Sequence, residues 1–292
     1  MKRKRNLIQG AAALVAVAGI ATGSANAAPV VYGDDSGSAA ELTQTVDAFR
    51  AALGIKNNNG PCTAPCTPGV GHRDVNWDAV PAANSSPNAF PSDFFNQPTG
   101  APAGRVRGIQ FATPGTGFRV SADPPDAIEF DDINATYSST FQVFSADQLF
   151  TPLGSTMTEV TFSLPGLPSS PAVTAGFGVV FTDVDSAEST SVSYFGVNDE
   201  LLLKVFASPQ DLGLSFVGAL FDGAIVSRVL IDSGDVAVGP DDLGLSGDVV
   251  VDVVVMDDFI FGEPVQPVPL PNALALFASG LLGLIGWKRR RT

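Results

Sequence analysis

From Arg105 to Phe261 the chain is written in short runs of Val, Phe, Thr and Ile, broken every few residues by Gly, Pro or Asp. Such residues suit a pleated, half-buried surface, and the breakers between them suit turns. Ten runs predict strands: Arg105–Ala112, Gly117–Ala122, Thr136–Ser145, Met157–Leu164, Thr174–Asp183, Thr190–Val197, Leu201–Ala207, Leu214–Phe221, Ala224–Ile231 and Asp248–Phe261. In the fourth, Val160, Phe162 and Leu164 fall on one face and Glu159, Thr161 and Ser163 on the other, the period of a strand with one side in a core. Val249, Val251, Val253 and Val255 share a face in the same way. No fixed-period repeat is present, which disfavours a propeller or β-helix. The pattern predicts an all-β fold over 105–264, an antiparallel β-sandwich of jelly-roll type.

One helix precedes it. Leu42, Val46, Phe49 and Leu53 recur at helical spacing, with Ser36 or Ser38 to cap the start and Gly54 to end it. From Asn57 to about Gly104 the composition turns to Asn, Pro, Ala and Gly, interspersed with Trp77, Phe90, Phe94 and Phe95. A free linker has no use for such aromatics, so residues 28–104 are expected to be the helix followed by an irregular excursion pinned to the domain by its rings.

The two ends have a different grammar. Lys2-Arg3-Lys4-Arg5, an apolar stretch from Gly10 to Gly23 and Ala25-Asn26-Ala27 make a signal peptide over 1–27, cut after Ala27. At the other end, no charged side chain occurs from Pro264 to Trp287. A helix over about 272–287 rises roughly 24 Å, slightly short of a bilayer core of about 30 Å. The basic stop Lys288, Arg289, Arg290 and Arg291 stays cytoplasmic, which places the preceding chain outside.

The four residues Val268, Pro269, Leu270 and Pro271, the Gly-bearing apolar stretch with Gly280, Gly283 and Gly286, and the Arg-rich terminus together resemble the PEP-CTERM sorting signal in its Val-Pro-Leu-Pro variant, over 268–292. Asn272 departs from it, standing where that variant usually has Ala. The resemblance implies export, transient anchoring by the transmembrane helix, and recognition by an exosortase, a membrane protease and transpeptidase that cuts near the Pro motif and passes the protein to the cell surface.

Targeting also changes the charge of what remains. Eight of the 16 Lys and Arg residues lie in the two termini, so the segment between carries eight bases against all 30 acids, a net charge of −22. Such a surface repels phosphate backbones and excludes nucleic acid as a partner, while cations are its natural counterpart. Cys62 and Cys66, in an exported chain, are expected to close a small disulfide loop. Two thiols and the single histidine, His72, are too few soft ligands for zinc.

Acidic pairs at strand edges are the remaining polar signal. In Phe-Thr-Asp-Val-Asp, Asp183 and Asp185 are two apart, so on a strand both carboxylates point one way and Val184 the other, a start toward a calcium site. Glu129, Asp131 and Asp132, and the pair Asp257 and Asp258, are similar groupings. The same residues serve equally as solvated turn acids. A Ser-His-Asp triad would depend on His72, and no Gly-x-Ser-x-Gly turn presents a nucleophile. Thirty acids supply carboxylate pairs for a glycosidase by chance alone, Glu129, Glu159, Glu188, Glu200 and Glu263 among them. Trp77, Tyr137, Tyr194, Phe94 and Phe95 are the aromatics a sugar platform would use, although most are needed to fill a core. The expected function is a non-enzymatic cell-surface or extracellular-matrix protein. The alternatives are a secreted, calcium-dependent carbohydrate-binding module that holds an extracellular polysaccharide, and an extracellular hydrolase.

Overall fold

The structure, a computed structural model, describes residues 27–58, 60–61, 70–122, 128–240 and 251–268. It is all-β, with every strand pair antiparallel. The elements in chain order are β1 (Val30–Gly37), α1 (Ala39–Leu53), β2 (His72–Val75), β3 (Ile109–Ala112), β4 (Gly117–Val120), α2 (Tyr137–Thr140), β5 (Phe150–Leu153) and β6 (Met157–Leu164). They continue with β7 (Leu167–Pro171), β8 (Gly176–Val184), β9 (Ser191–Phe195), β10 (Leu201–Phe206), β11 (Gln210–Leu220), β12 (Arg228–Asp232) and β13 (Val255–Gly262). Seven strands form one sheet in the order β1-β11-β8-β13-β5-β4, with β2 also paired to β13. Six form the other, β10-β9-β12-β6-β3, with β7 beside β6.

The two sheets enclose one core. Val160, Phe162, Tyr194 and Val229 from the six-stranded sheet meet Phe177, Val179, Phe181, Phe259 and Phe261 from the seven-stranded one. Trp77 sits among them, its ring stacked on Phe150 at 4.1 Å between centroids and its Nε1 donating to the Asp257 carbonyl oxygen at 2.8 Å. Phe90, Phe94 and Phe95 share this cluster, so the irregular segment is pinned by its aromatics as expected.

Helix α1 covers the outer face of the seven-stranded sheet. Leu42, Val46, Phe49 and Leu53 pack on Val180, Leu214, Phe216 and Ile260. Ser38 is the N-cap residue, its Oγ held by Glu41 Oε2 at 2.7 Å, and Gly54 ends the helix at φ 107°. The sheet makes room for the helix with two glycines. A Cβ on Gly178 would lie 2.9 Å from Phe49 Cε1, and one on Gly218 3.3 Å from Phe49 Cε2.

Three differences from the sequence reading have physical causes. Thr136–Ser145 is not a strand. Asn134 accepts from the Thr136 backbone N at 3.1 Å, Ser139 and Thr140 hydroxyls donate back to the Thr136 carbonyl, and these local bonds wind the segment into α2. Strands β1 and β2 precede Arg105 yet belong to the seven-stranded sheet, so that sheet extends beyond 105–264. Strands β5 and β7 were not foreseen either: β5 has Phe, Thr, Pro and Leu in place of a β-branched run, and β7 is Pro-rich and mostly exposed. Below residue 27 and beyond residue 268, the signal peptide and the transmembrane helix fall outside the described residues. Among the described residues no helix is long and apolar enough to cross a membrane.

Candidate functional site

The chain leaves the fold where β13 ends. Glu263, the next residue, is fully buried and meets Arg73 of β2 in a two-pronged ion pair, Nε to Oε2 and Nη2 to Oε1, both 2.8 Å. Arg73 completes its bonding with the carbonyl oxygens of Val106 and Gly60, and Asn57 Nδ2 donates to Glu263 at 3.0 Å. Of the glutamates considered for catalysis, Glu263 is therefore a buried structural anchor. Val265 then exchanges two backbone hydrogen bonds with Val173, at 2.8 and 2.9 Å. Three residues later Val268 is 85% exposed. The first residue of the Pro motif thus emerges from a fixed point with almost no slack. Pro269, Leu270, Pro271 and the basic stop Lys288 to Arg291 lie outside the described residues, as do Cys62 and Cys66 and the disulfide expected of them.

Residues 267–291 match the model of the PEP-CTERM protein-sorting motif. The chain carries that sorting signal. No curated protein matches it. The PEP-CTERM motif implies an exosortase-type processing partner and indicates a secreted protein that is sorted to the cell envelope. Its first matched residue, Pro267, is still part of the described fold, so the PEP-CTERM signal and the β-domain abut.

At the other end of β8 lies the acidic site. Asp183 takes φ 66° and Leu212 on β11 takes φ 53°, and the β8–β11 register slips between Gln210 and Leu214. This bulge lets Val184 enter the core while Asp183 and Asp185 turn away from it, and it brings in Asp211, so that the three carboxylates lie within 4.8 Å of one another. Asp211 is absent from the sequence reading because only strand pairing places it there. Leu212 N donates to Asp183 Oδ1 at 2.8 Å. Asp252 stands close by, its carboxylate accepting from the backbone N of Asp185 and Ser186 at 3.1 Å and from the Ser189 hydroxyl.

Burial pushes Asp183 up to about 7, Asp185, Asp211 and Asp252 add repulsion, and the Leu212 N–H works against both. Asp185 is raised to about 6, first by burial and then by Asp252 and Asp211. Three convergent carboxylates without nitrogen or sulfur are a donor set for a hard cation.

In a second group of acids, Asp257 and Asp258 are buried and Asp78 is half-buried. Ser145 Oγ lies 2.8 Å from Asp258 Oδ1 and 3.4 Å from oxygens of Asp78 and Asp257, and Arg50 of α1 donates to Asp258 at 2.7 Å. Asp257 also accepts from the backbone N of Phe144 at 2.6 Å. Burial first, then its neighbour Asp258, drives Asp257 well above the usual carboxylate range. These acids tie α1, β13 and the segment after α2 together.

His72 is buried, its Nδ1 2.6 Å from the Gly54 carbonyl oxygen and its Nε2 3.7 Å from Asp74. Among the described residues no serine hydroxyl is bonded to it. Trp77, Tyr137, Tyr194, Phe94 and Phe95 are all core residues, so none offers a sugar platform. A cleft of about 460 Å³ lies outside the six-stranded sheet beside β7, where Asn96, Gln110, Thr161 and Ser227 stand among Phe162, Val197 and Pro267.

Proposed function

We propose that this chain is the precursor of a non-enzymatic cell-surface or extracellular-matrix protein. The export machinery removes residues 1–27, residues 272–287 span the membrane transiently, and an exosortase-type transpeptidase cuts near Val268–Pro271. The β-domain, a sandwich of jelly-roll type, is the cargo. Crossovers that set β1, β11, β8 and β13 side by side support the jelly-roll assignment. The observation that carries the reading is the PEP-CTERM match at 267–291, placed directly after a folded domain. Mass spectrometry of the surface-exposed protein is expected to find neither Met1–Ala27 nor Leu274–Thr292, and deletion of Lys288 to Arg291 is expected to trap unprocessed protein. Intact C-terminal helix in mature protein would leave a plain anchor instead.

The acidic site is proposed to hold a structural calcium ion through Asp183 and Asp185, with Asp211 as third ligand. One observation favours a second reading, carbohydrate binding: the 460 Å³ cleft sets the uncharged amides and hydroxyls of Asn96, Gln110, Thr161 and Ser227 in a mainly apolar wall of Phe162, Val197 and prolines, and carries no charged side chain. Retention on a polysaccharide array that is lost in Gln110→Ala would support it, and absence of retention would end it.

A further inference from the structure

The strand registers define two ends of the β-domain. Phe261 pairs with Phe177, Gly176 with Leu220 and Leu220 with Val30, so these lie at the end from which the chain departs. Leu201, Phe195, Arg228 and Thr161 are aligned across the six-stranded sheet, and the Thr174–Val226 bridge ties them to the same end. Ile55 and Val70 join them, because Gly71 bonds both Leu53 and Glu263. Leu167 lines a cleft with Pro264 and Val265. At the opposite end lie Val184, Gln210 and Val255, with Asp183, Asp185, Asp211, Asp235 and Asp252 around them.

Exposed apolar side chains are divided unevenly between the ends. Val30, Ile55, Val70, Leu167, Leu201 and Val268, each more than half exposed, surround the departure point. Of the large apolar side chains exposed among the described residues, only Phe206 and Leu212 sit at the acidic end. The departure end is not free of acids: Asp199, paired with Arg228, is 74% exposed, and Glu200 and Asp222 are exposed beside it. A collar of exposed apolar side chains of this kind marks a contact surface.

Tether length says what covers it. Six residues lie between Val265, the last one with backbone hydrogen bonds to the fold, and Asn272, where the span begins, and the seven steps joining them reach at most about 24 Å. The eight steps along β8 span about 26 Å, slightly more than the tether allows, so the domain cannot stand inverted on its acidic end. Anionic headgroups would repel that end in any case.

We propose that in the unprocessed protein the chain-departure end of the β-domain rests on the lipid surface, with its apolar collar at headgroup level and its acidic end facing away. This rests on reading 272–287 as a membrane span. The test uses full-length precursor in vesicles carrying lipids with a headgroup-level fluorescence quencher and, separately, lipids with a quencher on the acyl chain. Native Trp287 reports the span through the acyl-chain quencher, while Trp77, buried in the core, supplies the unquenched baseline. In a Trp287→Phe background, Leu167→Trp and Leu201→Trp report the collar, and Leu212→Trp the far end. Expected is loss of fluorescence at 167 and 201 with the headgroup quencher and none at 212. Quenched Trp287 with no loss at 167 and 201 overturns the lipid contact and leaves the collar to a protein partner. Unquenched Trp287 removes the span, and the proposal with it.

Discussion

Asp183 keeps its proton to about pH 7 because it is buried beside three other aspartates. In the unfolded chain it titrates at an ordinary carboxylate value, so the folded state binds the proton more tightly. Between about pH 4 and pH 7 the unfolded state ionises first, and the domain loses stability as pH rises through that window. Asp185, raised to about 6, acts in the same direction. Asp183→Asn is therefore expected to raise the melting temperature at pH 8 in chelator and to flatten its decline between pH 5 and 8. Calcium should reverse the order. It raises the melting temperature of the wild type, by an amount equivalent to about 2.7 kcal/mol at about 100 times Kd, and leaves Asp183→Asn nearly unchanged. A wild-type curve indifferent to calcium and chelator would dispose of the cation site. At the other end of the domain, the buried charge of Glu263 is matched by Arg73. Glu263→Gln leaves a buried guanidinium without its counter-charge and is expected to cost about 3–5 kcal/mol, read by urea denaturation.

Helix α1 was legible from four side chains at helical spacing, and it docks through those four. The close approach of Phe49 to Gly178 makes the docking testable. Gly178→Ala puts a methyl against the Phe49 and Phe216 rings and is expected to cost roughly 1–3 kcal/mol. Phe49→Ala costs about 3–5 kcal/mol alone, but in that background the Gly178→Ala penalty should shrink, because one of the two rings the methyl strikes is gone and Phe216 is free to move into its place. Equal penalties in the two backgrounds would mean that the helix does not press on the sheet there. Strand β6 was equally legible, its alternation matching its burial from end to end except at Ser163, which β7 and Asn96 cover. Strand β2 was not. His-Arg-Asp-Val reads as a surface loop, and only a partner 190 residues away allows Arg73 to be buried. The acidic site was half legible for a similar reason: Asp183 and Asp185 are local, whereas Asp211 arrives by pairing across a bulge that no short-range pattern announces.

Across the whole molecule, charge and tether work against each other. On the proposed reading, the segment between the two targeting ends carries a net charge of −22 and should be driven from an anionic bilayer, yet in the precursor a span over 272–287 would hold it to within about 24 Å. Tethering keeps the effective concentration of the collar at the surface high, so contacts too weak to bind a free domain persist while the tail is intact. Cleavage near Val268 removes the tether and leaves only scattered apolar side chains against the repulsion of 30 acids. Processing should therefore release the domain from the lipid as well as from its helix. In a vesicle flotation assay at physiological salt, precursor is expected to float with the lipid and processed protein to remain at the bottom, with release more complete as the anionic lipid fraction rises. Processed protein that still floats on neutral vesicles would show that the collar binds by its own affinity, and the tether would then serve presentation to the protease alone.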